Sequence, residues 1–212
     1  MNDKVYKNPD AVIIVFCKAP VAGKVKTRLM PQLTEQQAVD VHIELTERTL
    51  SLLHESQICP IQLWCSPDTN HPFYQQCVNN YGVSLHIQRG NDLGERMHHA
   101  IQSGLEKSST ALLIGCDCPS LTVHDFEFAI NVLQLEAETG VVIAPAEDGG
   151  YVMVGLNKAY PDLFINMTWG HEDVYQNTLQ RIGDLELTLF ESRRHWDVDT
   201  FEDLQRFQAS NI

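Results

Sequence analysis

Four of the chain's fifteen cations, Lys18, Lys24, Lys26 and Arg28, fall within eleven residues. Small residues, Gly23 among them, separate these cations, so the backbone can come close to a ligand. Positive charge concentrated on one loop of an acidic chain suits a polyphosphate; a solvated basic turn is the alternative. Gly23-Lys24 is followed by Val25 rather than Ser or Thr and lacks the upstream glycine, so this is not a Walker A loop. Carboxylates could supply the other half of a metal–phosphate site. Asp117 stands directly after the apolar run Ala111–Gly115 and Cys116, and Pro119 cannot extend a central strand. It reads either as a metal and phosphate carboxylate or as an Asp capping the next turn. Glu147-Asp148-Gly149-Gly150 is a second acidic loop, whose glycines would let a substrate lie on the backbone; Asp-Gly also makes an ordinary turn. Asp197 and Asp199 point to one side if Trp196–Asp199 is extended. Arg89 and Arg96 flank Gly90-Asn91-Asp92-Leu93-Gly94-Glu95 and could meet a phosphate, or could be solvent arginines around a capped helix.

These residues need elements to hold them, and hydrophobic periodicity supplies candidates. Ala11–Cys17 and Ala111–Gly115 are unbroken apolar or small runs, which suits strands buried on both faces. Ile61–Cys65, Val83–Gln88, Val141–Pro145, Tyr151–Leu156 and Leu185–Phe190 read as further strands. Thr34 with Gln37 forms a capping box for a helix to about Leu53. Asp92 with Glu95, Thr122, and Thr200 with Asp203 mark further helix starts, and helical runs are expected at His71–Asn79 and His171–Ile182. Leu93, Met97, Ala100, Ile101 and Leu105 form the expected buried stripe of the third helix. Strand and helix alternate throughout, so one α/β domain over 11–209 with a mostly parallel sheet is expected. Residues 1–10 are polar and read as a flexible N-terminus. In open α/β sheets ligands bind where strands end, and the basic loop, Asp117 and the 147–150 loop all follow strands.

The 212 residues are 43% hydrophobic and carry a formal net charge of −13. That composition supports a sizeable core and argues against nonspecific nucleic-acid binding, which needs a basic footprint. The six cysteines (Cys17, Cys59, Cys65, Cys77, Cys116, Cys118) are not spaced as a zinc motif. Neither a secretory signal nor a membrane span is visible, and a cytoplasmic location is expected.

The motifs together resemble the small bacterial glycosyltransferase-like proteins of the DUF2064 type, which include arsenosugar-biosynthesis glycosyltransferases, within the nucleotide-diphospho-sugar transferase (GT-A) superfamily. The resemblance rests on Phe16–Pro20, Gly23–Leu29, Gln88–Gly90, Asp92–Met97, Ile114–Thr122, Ala144–Tyr151, Trp169-Gly170 and Asp197–Thr200, in order along nearly the whole chain. The architecture is also similar to guanylyltransferases of molybdopterin synthesis. The resemblance implies a single-domain Rossmann-like GT-A fold, a nucleotide over the first strand, and Mg²⁺ or Mn²⁺ at the Asp117 exit. The usual Asp-x-Asp metal motif is not completed here, because Cys118 and Pro119 follow Asp117, and a thiol is a poor ligand for a hard cation. The second carboxylate must come from elsewhere, with Asp199 or Asp197 as candidates. His171 stands where the pattern has Thr or Ser after Trp-Gly. The implied reaction moves a sugar from a nucleotide-sugar donor to a small acceptor. Lys18, Lys24, Lys26 and Arg28 would then stabilise the leaving diphosphate, and Asp148, or Glu147 in its place, would act as general base. Nucleotidyl transfer from a nucleoside triphosphate with release of pyrophosphate, and nucleotide binding without turnover, are the alternatives.

Overall fold

The structure, a computed structural model, describes residues 5–136 and 138–210. Ala11–Lys18 (β1) and Thr110–Gly115 (β4) are the central strands, paired in parallel with Phe16 opposite Gly115. Their continuous apolar character follows from burial on both faces. The chain runs β1, α1 (Glu35–Ser56), β2 (Ile61–Ser66), α2 (Pro72–Tyr81), β3 (Ser84–Ile87), α3 (Leu93–Leu105), β4 and α4 (Val123–Leu135). It continues through β5 (Gly140–Pro145), β6 (Tyr151–Leu156), α5 (Val174–Asp184), β7 (Thr188–Glu191) and α6 (Phe201–Ala209). The seven-stranded sheet has the order β3-β2-β1-β4-β6-β5-β7. Only β6 runs antiparallel to its neighbours. The strand order reverses between β1 and β4, and the crevice at their carboxyl ends is the topological switch point where such folds bind ligands.

The expected helix starts are present. Thr34 and Gln37, and Thr200 and Asp203, form reciprocal capping boxes. Asp92 caps α3 through the Glu95 amide at 2.8 Å, while the Glu95 carboxylate accepts from the Asn91 amide instead of reaching back to Asp92. Two element starts differ from expectation by three residues. Helix α5 begins at Val174 rather than His171, because the Asp173 amide donates to His171 Nδ1 and the Tyr175 amide to the Gly149 carbonyl. Strand β7 begins at Thr188 rather than Leu185: Leu185 and Leu187 donate back to Arg181 and Ile182, with Glu186 in the left-handed region at φ 54°. Leu93, expected within the buried stripe, is 42% exposed. Within the segment expected to be flexible, the Lys7 and Asn8 amides donate to the Gln57 and Ile58 carbonyls, and residues 1–4 lie outside the described residues.

Side-chain alternation on β1 divides the core. Ala11, Ile13, Val15 and Cys17 pack toward α1, α2 and α4, while Val12 and Ile14 pack toward α3 and α5. A third cluster joins Leu29, Val41 and Leu45 to Trp196, Val198, Leu204 and Phe207, docking the C-terminal segment against α1. That segment threads between strand exits. The Val198 amide donates to the Asp117 carbonyl, His195 to Pro145, and Trp196 to Ser120 Oγ.

Asp125 on α4 clamps this path. Its side chain is 8% exposed, lies 3.4 Å from His195 Nε2, and accepts from Arg193 Nη2 at 3.1 Å and from the Thr122 amide at 2.8 Å. Burial pushes the Asp125 carboxyl up, but the bonds from His195, Arg193 and Thr122 override it and hold the carboxyl well below its ordinary range. Removing one partner of a buried ion pair leaves the others uncompensated, so Asp125→Ala is expected to lower the unfolding free energy by about 3–5 kcal/mol in urea titrations near neutral pH. A depressed carboxyl stabilises the fold above its unfolded value of about 4 and loses that contribution as pH falls. The gap between wild type and Asp125→Ala therefore narrows in acid.

Candidate active site at the ends of β1 and β4

Beyond β1 the chain turns through the basic loop, and Lys26 adopts the left-handed region at φ 47° before a short 3₁₀ turn over Thr27–Leu29. That turn sends the Lys26 side chain inward, where it is only 5% exposed. Its ammonium donates to Asp117 Oδ2 at 2.7 Å and to the Val198 carbonyl at 2.6 Å, and lies 3.6 Å from Asp199 Oδ1. Arg28 Nη1 reaches Asp199 Oδ2 at 2.6 Å from solvent. Burial pushes Lys26 down, but the Asp117 charge and hydrogen bond overcome it, so Lys26 stays protonated above its ordinary value. Burial likewise pushes Asp117 up, and Lys26 overrides it, holding the carboxyl below its ordinary value.

Asp117, Asp197 and Asp199 bring carboxylate oxygens within 4.8 Å of one another. Val198 between the last two is fully buried in the opposite direction, as extended alternation requires. Burial, and then the charges of Asp117, Asp148 and Asp199, push the Asp197 carboxyl up to about 7. Three hard oxygen donors around an existing cation are the donor set a small divalent ion takes. Cys118 is not among them: its thiol touches the Trp196 carbonyl and Ser120 Oγ, and burial pushes it up to about 12.

Two cavities open beside this cluster. The larger, about 640 Å³, is lined by Lys18, Lys26, Arg96, Asp117 and Asp199 together with Phe16, Gln88, Asn91, Met97 and Leu113. The smaller, about 330 Å³, is lined by Arg28, Asp148, Gly150, Trp169, His171 and Asp199. They share Leu93, Met97, Tyr151 and Asp199. Trp169 meets Tyr151 edge-on at 6.4 Å. Arg96 Nε ties the Gly90 carbonyl at 3.0 Å, fixing the loop before α3.

Other expected site residues lie elsewhere. Lys24 is exposed and lines neither cavity. Gly23, at φ 75°, packs beside the Glu35 carboxylate. Glu147 forms a two-pronged ion pair with Arg206 at 2.7 and 3.1 Å, which holds its carboxyl low, and it too lines neither cavity. Gly149, at φ 90°, is required by protein packing rather than by an open substrate face: a Cβ there would fall 2.2 Å from the Glu172 carbonyl oxygen. Leu93, Met97 and Tyr151, which contribute to both cavities, were read from the sequence only as helix stripe and strand. Their positions in the first two turns of α3 and at the start of β6 are the signal that places them at the rim.

The sheet order, the switch-point crevice and the paired cavities define a nucleotide-diphospho-sugar transferase-type fold. The chain belongs to the family described as "Uncharacterized protein conserved in bacteria (DUF2064)", whose model matches residues 49–171. A solved structure from Desulfovibrio desulfuricans, provisionally named a nucleotide-diphospho-sugar transferase, is 30% identical. The match covers 96% of this chain and 89% of that one, with a TM-score of 0.84. The fold is shared with 4-diphosphocytidyl-2C-methyl-D-erythritol synthase from Anaerococcus prevotii (13% identity, 93% and 96% of the two chains, TM-score 0.59). It is shared too with a CMP:2-keto-3-deoxy-manno-octonic acid synthetase complexed with CTP (13% identity, 94% and 97%, TM-score 0.51). No curated protein matches the sequence. Among the described residues no helix is long and apolar enough to cross a membrane.

The raised Asp197 carboxyl has a stability signature. Ionising it opposes folding once pH exceeds its unfolded value of about 4, and the penalty is complete above about 7. Without divalent ions, Asp197→Asn is therefore expected to melt above wild type at pH 8 and level with it near pH 4, as read by thermal denaturation across pH.

Proposed function

We propose that the protein transfers a glycosyl group from a nucleotide-sugar donor to the hydroxyl of a small acceptor. The observation that carries this reading is the Lys26–Asp117–Asp197–Asp199 cluster at the switch point, set between two communicating cavities. The larger cavity takes the donor. Phe16, Leu113 and Met97 give it an apolar wall for a nucleoside, and Lys18 and Arg96 bring positive charge to the diphosphate. The smaller cavity takes the acceptor, with Trp169 offering an aromatic edge and Asp148 a carboxylate.

In the reaction the bond between the anomeric carbon and the diphosphate oxygen breaks, and its electron pair leaves with the nucleoside diphosphate. Lys18 and Lys26 from the wall of the larger cavity, and Arg28 from the Asp199 edge of the smaller one, would face the charge that develops there. The acceptor oxygen bonds to the anomeric carbon, and its proton passes to Asp148. Asp117, Asp197 and Asp199 are the residues that would hold Mg²⁺ or Mn²⁺, which neutralises phosphate charge when bound. Lys26 pairs with two of them, Asp117 and Asp199, when the ion is away. Lys24, exposed at the loop tip, would meet only the outer part of a bound nucleotide.

Nucleotidyl transfer is the second reading, favoured by two fold neighbours, the 4-diphosphocytidyl-2C-methyl-D-erythritol synthase and the CMP:2-keto-3-deoxy-manno-octonic acid synthetase solved with CTP. Binding without turnover is a third. A panel of nucleotides and nucleotide sugars with Mg²⁺ or Mn²⁺ is expected to raise the melting temperature, because a ligand of the native state stabilises it. The stabilising donor should yield a nucleoside diphosphate on incubation with acceptors. Lys18→Ala is expected to cut turnover by about 10²–10³-fold, the usual cost of one lost charge-stabilising donor. Pyrophosphate release would select the second reading, and stabilisation without any product the third.

A further inference from the structure

The wall of the larger cavity holds a second cluster that the transfer reaction does not use. Cys17 lies near the end of β1, and Cys116 directly follows β4, one step beyond the paired Phe16 and Gly115. His42 points from the buried face of α1 toward both. All three are at most 5% exposed, all three line the cavity, and one ligand atom from each lies within 4.8 Å of the others. We propose that Cys17, His42 and Cys116 form a site for one Zn²⁺-class cation, with its fourth position open to the larger cavity.

The donor chemistry selects the ion. Two sulfurs and one imidazole are soft or borderline ligands, which disfavour Mg²⁺ and Ca²⁺ and suit Zn²⁺. Three protein ligands with one open position is the arrangement of catalytic rather than structural zinc. The spacing also agrees. Tetrahedral bonds of about 2.3 Å to sulfur and about 2.0–2.1 Å to nitrogen separate the two donor atoms by about 3.5–3.6 Å. Cys17 Sγ and His42 Nε2 already stand 3.7 Å apart. The site differs in kind from the neighbouring oxygen cluster of Asp117, Asp197 and Asp199, so the two would sort cations by hardness.

Protons mark how occupancy would be felt. The Lys18 carbonyl accepts from His42 Nε2 at 2.9 Å and from the Cys17 thiol at 3.3 Å. Binding transfers the thiol protons to solvent and the imidazole proton from Nε2 to Nδ1, and the ion takes the freed electron pairs. The Lys18 carbonyl then loses both donors at the residue where β1 enters the basic loop. A cation here would therefore reach the donor cavity through Lys18.

The test uses reduced, chelator-stripped full-length protein titrated with Co²⁺. A thiolate-to-cobalt charge-transfer band with strong tetrahedral visible bands should saturate at one ion per chain and vanish on adding Zn²⁺. Cys17→Ser and Cys116→Ser should each lose the band, and Asp117→Asn should keep it. Because either serine variant could disturb the core, X-ray absorption on Zn²⁺-loaded wild type supplies a second reading. Two sulfurs at about 2.3 Å with nitrogen or oxygen at about 2.0–2.1 Å are expected. A shell of nitrogen and oxygen alone, no thiolate band, or a band that survives in the double serine variant would overturn the proposal.

Discussion

One buried ammonium organises this end of the molecule. Lys26 is enclosed by Asp117, the Val198 carbonyl and Asp199, groups separated from it by 91 to 173 positions along the chain. A lysine at 5% exposure would be costly alone, and so would the carboxylates it meets. Each makes the others tolerable, so the basic loop, the β4 exit and the C-terminal segment must come together or not at all. The same constraint makes the site responsive. An ammonium already sits among three oxygen acceptors, so under the proposed reading a divalent ion bound there would displace it and free Lys26 for an anionic ligand.

The rest of the fold serves this meeting. The switch between β1 and β4 opens the crevice, and side-chain alternation on β1 anchors both helical layers. The C-terminal segment has no strand or helix of its own between β7 and α6, so tertiary bonds fix it. Asp125, Arg193 and His195 tie it to α4, Ser120 holds Trp196, and the buried cluster around Val198 and Phe207 presses it on α1. Glu147, paired with Arg206, belongs to that same scaffold: Arg206 also stacks 4.3 Å over the Trp196 ring. What looked from the sequence like a reserve general base is a structural carboxylate.

The sheet, its strand exits and most helix starts were legible because they depend on local signals: apolar runs, period and capping residues. The gathering of Asp117 with Asp197 and Asp199 followed from the family resemblance, which implies a metal at Asp117: Cys118 is a poor hard-metal ligand, so a second carboxylate had to arrive from elsewhere. What escaped the sequence depends on direction. Lys24 and Lys26 are two residues apart with the same charge, yet the left-handed backbone at Lys26 turns one inward and leaves the other in solvent. Gly149 reads as room for a substrate, and only the fold shows the Glu172 backbone filling that room. The Cys17–His42–Cys116 cluster joins three elements at spacings no zinc motif uses, so neither count nor spacing of cysteines discloses it.

The central claim is that a nucleotide diphosphate and one divalent cation meet at this buried cluster. Crystals grown with Mn²⁺ and a stabilising nucleotide test it directly, because manganese can be located by its anomalous scattering. The account predicts an anomalous peak bonded to oxygens of Asp117, Asp197 or Asp199, the diphosphate beside it in the larger cavity, and Lys26 Nζ withdrawn from Asp117 onto phosphate. A nucleotide seated away from that cavity, or manganese bound elsewhere while Lys26 keeps its grip on Asp117, would contradict it.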